Sequence, residues 1–176
     1  DAADILHEIP EATRVRLLEL MEPEEAEDVR MLLEYDEYTA GGMMTPEPVI
    51  LAPDSTVAEA LARIRNSDLP PALAAQVYVC RSPLEVPTGR YLGSVHFQRL
   101  LRETPSALVT EAMDSELEPV APESTLHEVT NVLASYNLVA IPVVDDNDRL
   151  LGAVTVDDVI DHMLPDNWRN QEPTAT

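Results

Sequence analysis

The 176-residue chain carries 33 acidic side chains against 11 basic ones, a formal net charge of -22, on an ordinary hydrophobic content of 45%. A field of that sign repels nucleic-acid phosphates and anionic lipid surfaces, which excludes both as expected partners, and the hydrophobic fraction excludes global disorder. The same field attracts cations, and carboxylate oxygens are the donors that hard divalent ions take; a solvated acidic surface is the plain alternative.

Cys80, the single cysteine, can form neither an internal disulfide nor a thiolate metal cluster, and within Gln76–Cys80 it reads as a buried structural thiol. No apolar stretch reaches the roughly 18 residues that a bilayer-spanning helix needs. With no secretory signal either, the chain is expected to be cytoplasmic and without membrane insertion. Asp1 opens in mid-pattern, as a trimmed fragment would.

In chain order, residues 1–37 predict helices. Ala12, Val15, Leu17, Leu18 and Met21 mark one. Pro23 starts another, with Glu24, Glu25, Glu27 and Asp28 in its early turns, where acids suit the helix dipole. Its apolar face is Ala26, Val29, Leu32 and Leu33. Two short helices make no core alone, so they pack on the rest of the chain or belong to a larger helical domain.

A duplication organises the remainder. Met44–Val49 leads to Pro53-Asp54-Ser55-Thr56 and a helical pattern; later Met113-Asp114 and Glu118-Pro119-Val120 lead to Pro122-Glu123-Ser124-Thr125 and a second. Ser55 or Thr56 caps a helix with Val57, Ala60, Leu61 and Ile64 on one face, and Leu126, Val129 and Leu133 form the matching stripe. Val77–Val79 and Val139–Val144 are short strands. Asp145–Asp148 reads as a hairpin turn, where acids are common, and Arg81–Thr88 as a longer, proline-rich one. Each copy then closes with a glycine-centred strand, Leu92–Val95 or Leu151–Val154, and another helix. Each repeat is β-α-β-β-α, too small to stand alone, and the two are expected to pack sheet against sheet. The fold class is α+β.

The duplication, with Gly152–Asp158 closing the second copy, resembles the tandem CBS (cystathionine-β-synthase) domain pair. Leu32–Thr45, with its Thr39-Ala40-Gly41-Gly42 junction, looks like the boundary between the helical N domain and the CBS pair of MgtE-type magnesium transporters. Asp1–Leu6 and Pro23–Ala26 resemble the last helices of that N domain. The resemblance implies N-domain helices over 1–37, a first CBS domain over 38–104, a second over 105–164 and a polar tail over 165–176. It also implies a homodimer through the CBS pair, and closure of the acidic arm on that pair when Mg2+ neutralises facing carboxylates.

Two sets of site residues emerge. The helix after Thr155 is expected to bury Val156, Val159, Ile160 and Met163, with Asp157, Asp158 and Asp161 on its other side. Asp157 and Asp161 are like charges at i, i+4, costing an isolated helix roughly 0.2–0.5 kcal/mol, which a bound cation reverses. The resemblance makes Asp158 and Asp161 ligands of Mg2+ and Asp4 the facing carboxylate; a solvated helix face is the alternative. In CBS clefts a Thr-x-x-Asp meets phosphate and ribose. Thr155 and Asp158 supply that pair for ATP or AMP, with Val139, Ala140 and Pro142 as the adenine wall, unless Thr155 is simply a helix cap. His96 and Arg99 stand at the matching positions of the first copy, so that cleft departs from the pattern.

His7, His96, His127 and His162 show no ligand spacing with cysteine or one another, and no phosphate loop, nucleophile elbow or triad is present, so no enzyme is expected. The two prolines after Met163, with His127 and Asn137 where the transporters place membrane-side carboxylates, favour a soluble MgtE-like protein over a channel subunit cut before its pore. The expected function is a magnesium-linked regulatory module; an adenine-nucleotide sensor and a ligand-free dimerisation scaffold are the alternatives.

Overall fold

The computed structural model describes Leu6 and residues 9–114 and 117–164. Asp4, His7 and the tail with Trp168 lie outside them. The chain forms α1 (Glu11–Leu18), α2 (Pro23–Leu32), α3 (Ala40–Met43), β1 (Ile50–Leu51), α4 (Val57–Ile64), α5 (Pro71–Ala74), β2 (Gln76–Cys80) and β3 (Tyr91–His96). It continues with α6 (Phe97–Leu100), α7 (Val109–Ala112), α8 (Leu126–Tyr136), β4 (Ala140–Val144), β5 (Leu150–Thr155) and α9 (Val156–Met163).

In the first repeat β1 runs parallel to β2, and β3 pairs antiparallel on its far side. In the second, β4 and β5 form an antiparallel pair, and Val120, bridged in parallel to Val143, takes the place of β1. Every residue of β2 and β4 is buried, which explains why both read as continuous apolar runs rather than alternating ones. Successive side chains point to opposite faces. Val77 and Val79 meet the helices of the first repeat, Ile141 and Val143 those of the second. Tyr78 and Cys80 turn the other way and pack against Val144, Leu150 and Ala153, so the repeats do meet sheet against sheet.

The chain segments leading into the repeats are exchanged. Ala40, Met43 and Met44, ahead of the first repeat, lie in the core of the second; Val109 and Ala112, ahead of the second, lie in the core of the first. Backbone bonds secure both crossings. Thr45 and Ala153 exchange reciprocal N–H···O bonds of 2.9 and 3.0 Å, and Ser94 and Asp114 bonds of 3.2 and 2.7 Å. Gly152 permits the first approach, because a Cβ there would stand 3.0 Å from the Met44 sulfur and closer still to the Thr45 carbonyl oxygen.

Helix starts agree closely with the sequence. Thr56, Thr125 and Thr155 each accept from the backbone of an acid three residues on, which answers with its carboxylate on the threonine amide. Asn137 ends α8 in a left-handed conformation, with its amide on the Leu133 carbonyl. The arm, α1 and α2, has a small core of its own from Leu6, Leu18 and Val29, while Val15 and Leu17 are exposed. Leu32 instead enters the core of the second repeat. The α9 face also differs from expectation. Val159 is buried, but Ile160 and Met163 are 40% and 61% exposed, because the helix lies at the edge of the packed layer. Among the described residues no helix is long and apolar enough to cross a membrane.

Candidate functional site

The turn from β5 into α9 concentrates the site residues. The Asp158 Oδ2 accepts from the Thr155 amide and from the Thr155 hydroxyl, both at 2.7 Å, while the Asp158 amide donates to the Thr155 oxygen at 3.3 Å. Thr155 is therefore the cap of α9. Its hydroxyl proton is committed to Asp158, so a ribose or an ion would meet this carboxylate at Oδ1.

Burial pushes the Asp158 carboxyl above the usual carboxylate range; the two bonds from Thr155 oppose it, nearby Asp157 raises it further and His162 lowers it. A half-buried carboxylate held above its normal range is a group that gains from a cation. Asp157 is exposed and Asp161 half-buried on the same helix. His162 orients its ring by a 2.8 Å contact between Nδ1 and the Asp158 carbonyl oxygen. A carbonyl only accepts, so Nδ1 carries the hydrogen. The ring stands edge-on to Tyr38 of the junction, 5.8 Å between centroids.

The three residues expected to form an adenine wall are placed unequally. Ala140 pairs with Thr155 and Pro142 with Ala153, and both are buried; Val139 alone of the three is partly accessible. A cavity of about 630 Å³ opens where the chain enters β4, lined by Pro119, Val120, Val132, Tyr136 and Leu138, with Asp114 and Glu118 at its polar side. In the first copy His96 caps α6, its Nδ1 accepting from the Gln98 amide at 3.3 Å, and burial lowers its pKa. Arg99 is exposed on that helix.

A second acidic locus was not foreseen. Glu22, Glu25 and Asp28 of the arm share a cleft of about 510 Å³ with Glu47, which precedes β1. The i, i+3 spacing of Glu25 and Asp28 was visible in the sequence; their meeting with Glu47 depends on how the arm docks. Among the described residues no three His, Cys, Asp or Glu side chains converge closely enough to hold a bare ion.

Charge is divided unevenly along this architecture. Residues 1–45 carry thirteen carboxylates and three arginines, residues 46–104 six of each, and residues 105–164 twelve carboxylates and one arginine. The arm packs on the second repeat, so the two acidic parts meet, and Glu47 of the balanced first repeat reaches the arm as well.

Residues 40–105 and 109–165 match the CBS domain family, and residues 1–38 match the MgtE intracellular N domain. The magnesium transporter MgtE of Thermus thermophilus is 34% identical over 146 residues, 83% of this chain but 31% of that protein, so the chain spans about a third of it. The crystal structure of the cytosolic domain of the Mg2+ channel MgtE in complex with ATP superposes with a TM-score of 0.80 at 33% identity, covering 91% of this chain and 64% of that one. The soluble part of a magnesium transporter matches at 0.80 and 29%, covering 92% and 61%. The chain belongs to the CBS domain family, as a tandem pair led by a segment that matches the MgtE intracellular N domain.

Proposed function

We propose that this chain is the cytosolic regulatory module of a magnesium-transport protein, which senses Mg2+ through carboxylates gathered where the helical arm meets the CBS pair. One observation carries the reading: an arm with thirteen carboxylates packs on a repeat with twelve, and only four arginines are shared between them. Like charges brought together in this way repel until counter-ions gather, and clustered carboxylate oxygens take a hard divalent ion more strongly than they take Na+ at the same ionic strength. Asp157, Asp158 and Asp161 supply one set of ligands, with Asp4 opposite them as the family resemblance implies. Glu22, Glu25, Asp28 and Glu47 supply the other. The test is thermal unfolding and calorimetry in millimolar Mg2+ against Na+ of equal ionic strength. Mg2+ is expected to raise the melting temperature well beyond Na+, and Asp158→Asn with Asp161→Asn to reduce the gain. Equal effects of the two salts would overturn the reading.

A second reading rests on the Thr155–Asp158 pair and on the related MgtE cytosolic domain that holds ATP. Here Oδ1 of Asp158 accepts from ribose, with Val139 and the apolar walls of the β4 entrance beside the base. ATP binding that Thr155→Ala abolishes, with Mg2+ alone neutral, would favour it. In both readings the module acts as a homodimer, whose apolar contacts come from side chains the monomer leaves open, among them Leu101 and Met163 at 63% and 61% exposure.

A further inference from the structure

The turn from β3 into α6 is closed by a titratable side chain, where its counterpart in the second repeat is closed by a threonine. His96 ends β3, pairs with Gln76 of β2 and stands immediately before Phe97. Its Nδ1 accepts from the Gln98 amide at 3.3 Å and so caps α6. An amide N–H only donates, so Nδ1 must present its lone pair and Nε2 carries the hydrogen of the neutral ring. The ring lies tilted against Phe97, 4.9 Å between centroids, which holds Nδ1 on the turn.

The second repeat shows what this arrangement replaces. There the Thr155 oxygen accepts from the Asp158 amide, and the Asp158 carboxylate answers on the Thr155 amide. In the first repeat the residue three beyond His96 is Arg99, which offers no acceptor, so the Nδ1 bond has no such reply. A proton on Nδ1 removes the acceptor and sets N–H against N–H. It also puts a positive ring beside the open amides of a helix start, three residues before an arginine.

The ionisable side chains of the helices packed around the turn are Glu59 and Arg63 of α4, Arg99 of α6 and Glu111 of α7. The segments β2 and α5 bring no Asp, Glu, Lys, Arg or His to it. Burial of the ring lowers its pKa, so the neutral, bonded form persists below the ordinary histidine value of about 6.5. The cap therefore adds stability that is present above that ordinary value and lost as pH falls through the lowered one.

We infer that His96 is a pH-operated latch on the first repeat: the neutral imidazole closes the turn from β3 into α6, and its protonation releases the start of that helix while the core strands stay folded. The latch is independent of the magnesium reading, since it uses none of the carboxylates on which that reading rests.

NMR of the chain from about pH 8 to about pH 5, the window in which a histidine titrates, tests it. The ring nitrogens of His96 are expected to report the Nε2–H tautomer at the upper end. As the ring titrates, protection of the Gln98 amide, corrected for the intrinsic pH dependence of exchange, is expected to fall about fivefold, the size of one lost cap. The Glu128 amide, capped by Thr125, is expected to hold. His96→Asn, which caps without titrating, is expected to keep Gln98 protected at both ends of the range, and His96→Ala to lose that protection at both. An Nδ1–H tautomer in the neutral ring would overturn the latch, as would a Gln98 amide indifferent to the titration or the same fall in His96→Asn. Loss of protection at Val77 and Val95 in step with Gln98 would also overturn it, by showing that the whole repeat unfolds.

Discussion

The two repeats share a scaffold and differ in chemistry. Both have an antiparallel strand pair, a threonine-capped helix after the first strand position, and a lead-in segment inserted into the other's core. The first is electrically balanced and turns from β3 into α6 through His96, with Arg99 on the helix. The second is strongly acidic, turns from β5 into α9 through Thr155 and Asp158, and carries the arm. Packing positions are held in common because each core needs the other's segment, while surface and turn positions are released to specialise. The candidate site residues Thr155, Asp157, Asp158 and Asp161 all fall on the second copy.

If the scaffolds are equivalent, core deletions cost both alike. Leu100→Ala in the first repeat and Ile141→Ala in the second remove fully buried side chains. Each is expected to lose about 2–5 kcal/mol in denaturant unfolding, and a large gap between them would break the equivalence.

The caps come next in size. Thr56→Ala, Thr125→Ala and Thr155→Ala each remove one hydroxyl from a box with the same bonding pattern. A loss of about 1 kcal/mol apiece is expected from thermal melts, with ligand binding altered by Thr155→Ala alone.

The smallest effect is in pH dependence, where the same box has opposite signs. At Glu128 the bonds from the Thr125 amide and hydroxyl outweigh a slight desolvation, and its pKa is lowered. At Asp158 burial outweighs those same bonds, and its pKa is raised. Glu128 therefore adds stability that is present above the ordinary carboxylate pKa and lost as pH falls through its depressed value. Asp158 adds stability that is present below the ordinary pKa and lost as pH rises through its elevated one. In metal-free buffer Glu128→Gln is expected to flatten the acid limb of a stability profile. Asp158→Asn is expected to flatten the fall above the ordinary carboxylate range, and that fall would shrink in Mg2+.

The features legible in the sequence are those set by neighbours along the chain. Thr56, Thr125 and Thr155 cap because each stands three residues before an acid at the head of an apolar stripe. The strands are legible because burial on both faces leaves an unbroken apolar run. At α9 the same reasoning overreached. Val159, Ile160 and Met163 share a helical face by period, yet only Val159 meets the core, since period says which side chains align and not how far the neighbouring layer extends.

By itself the sequence determined the duplication, the α+β repeat, the helix caps and the excess of carboxylates, because each arises from local periodicity, hydrogen-bonding reach or composition. Tertiary structure alone decided that each lead-in segment crosses to the other repeat, that Tyr35 rests on Gly41, and that Glu47 joins Glu22, Glu25 and Asp28 in one cleft. Those meetings join residues six to more than a hundred positions apart, and what selects them is the fit of two packed surfaces, which local periodicity does not encode even where the partners are near in the chain.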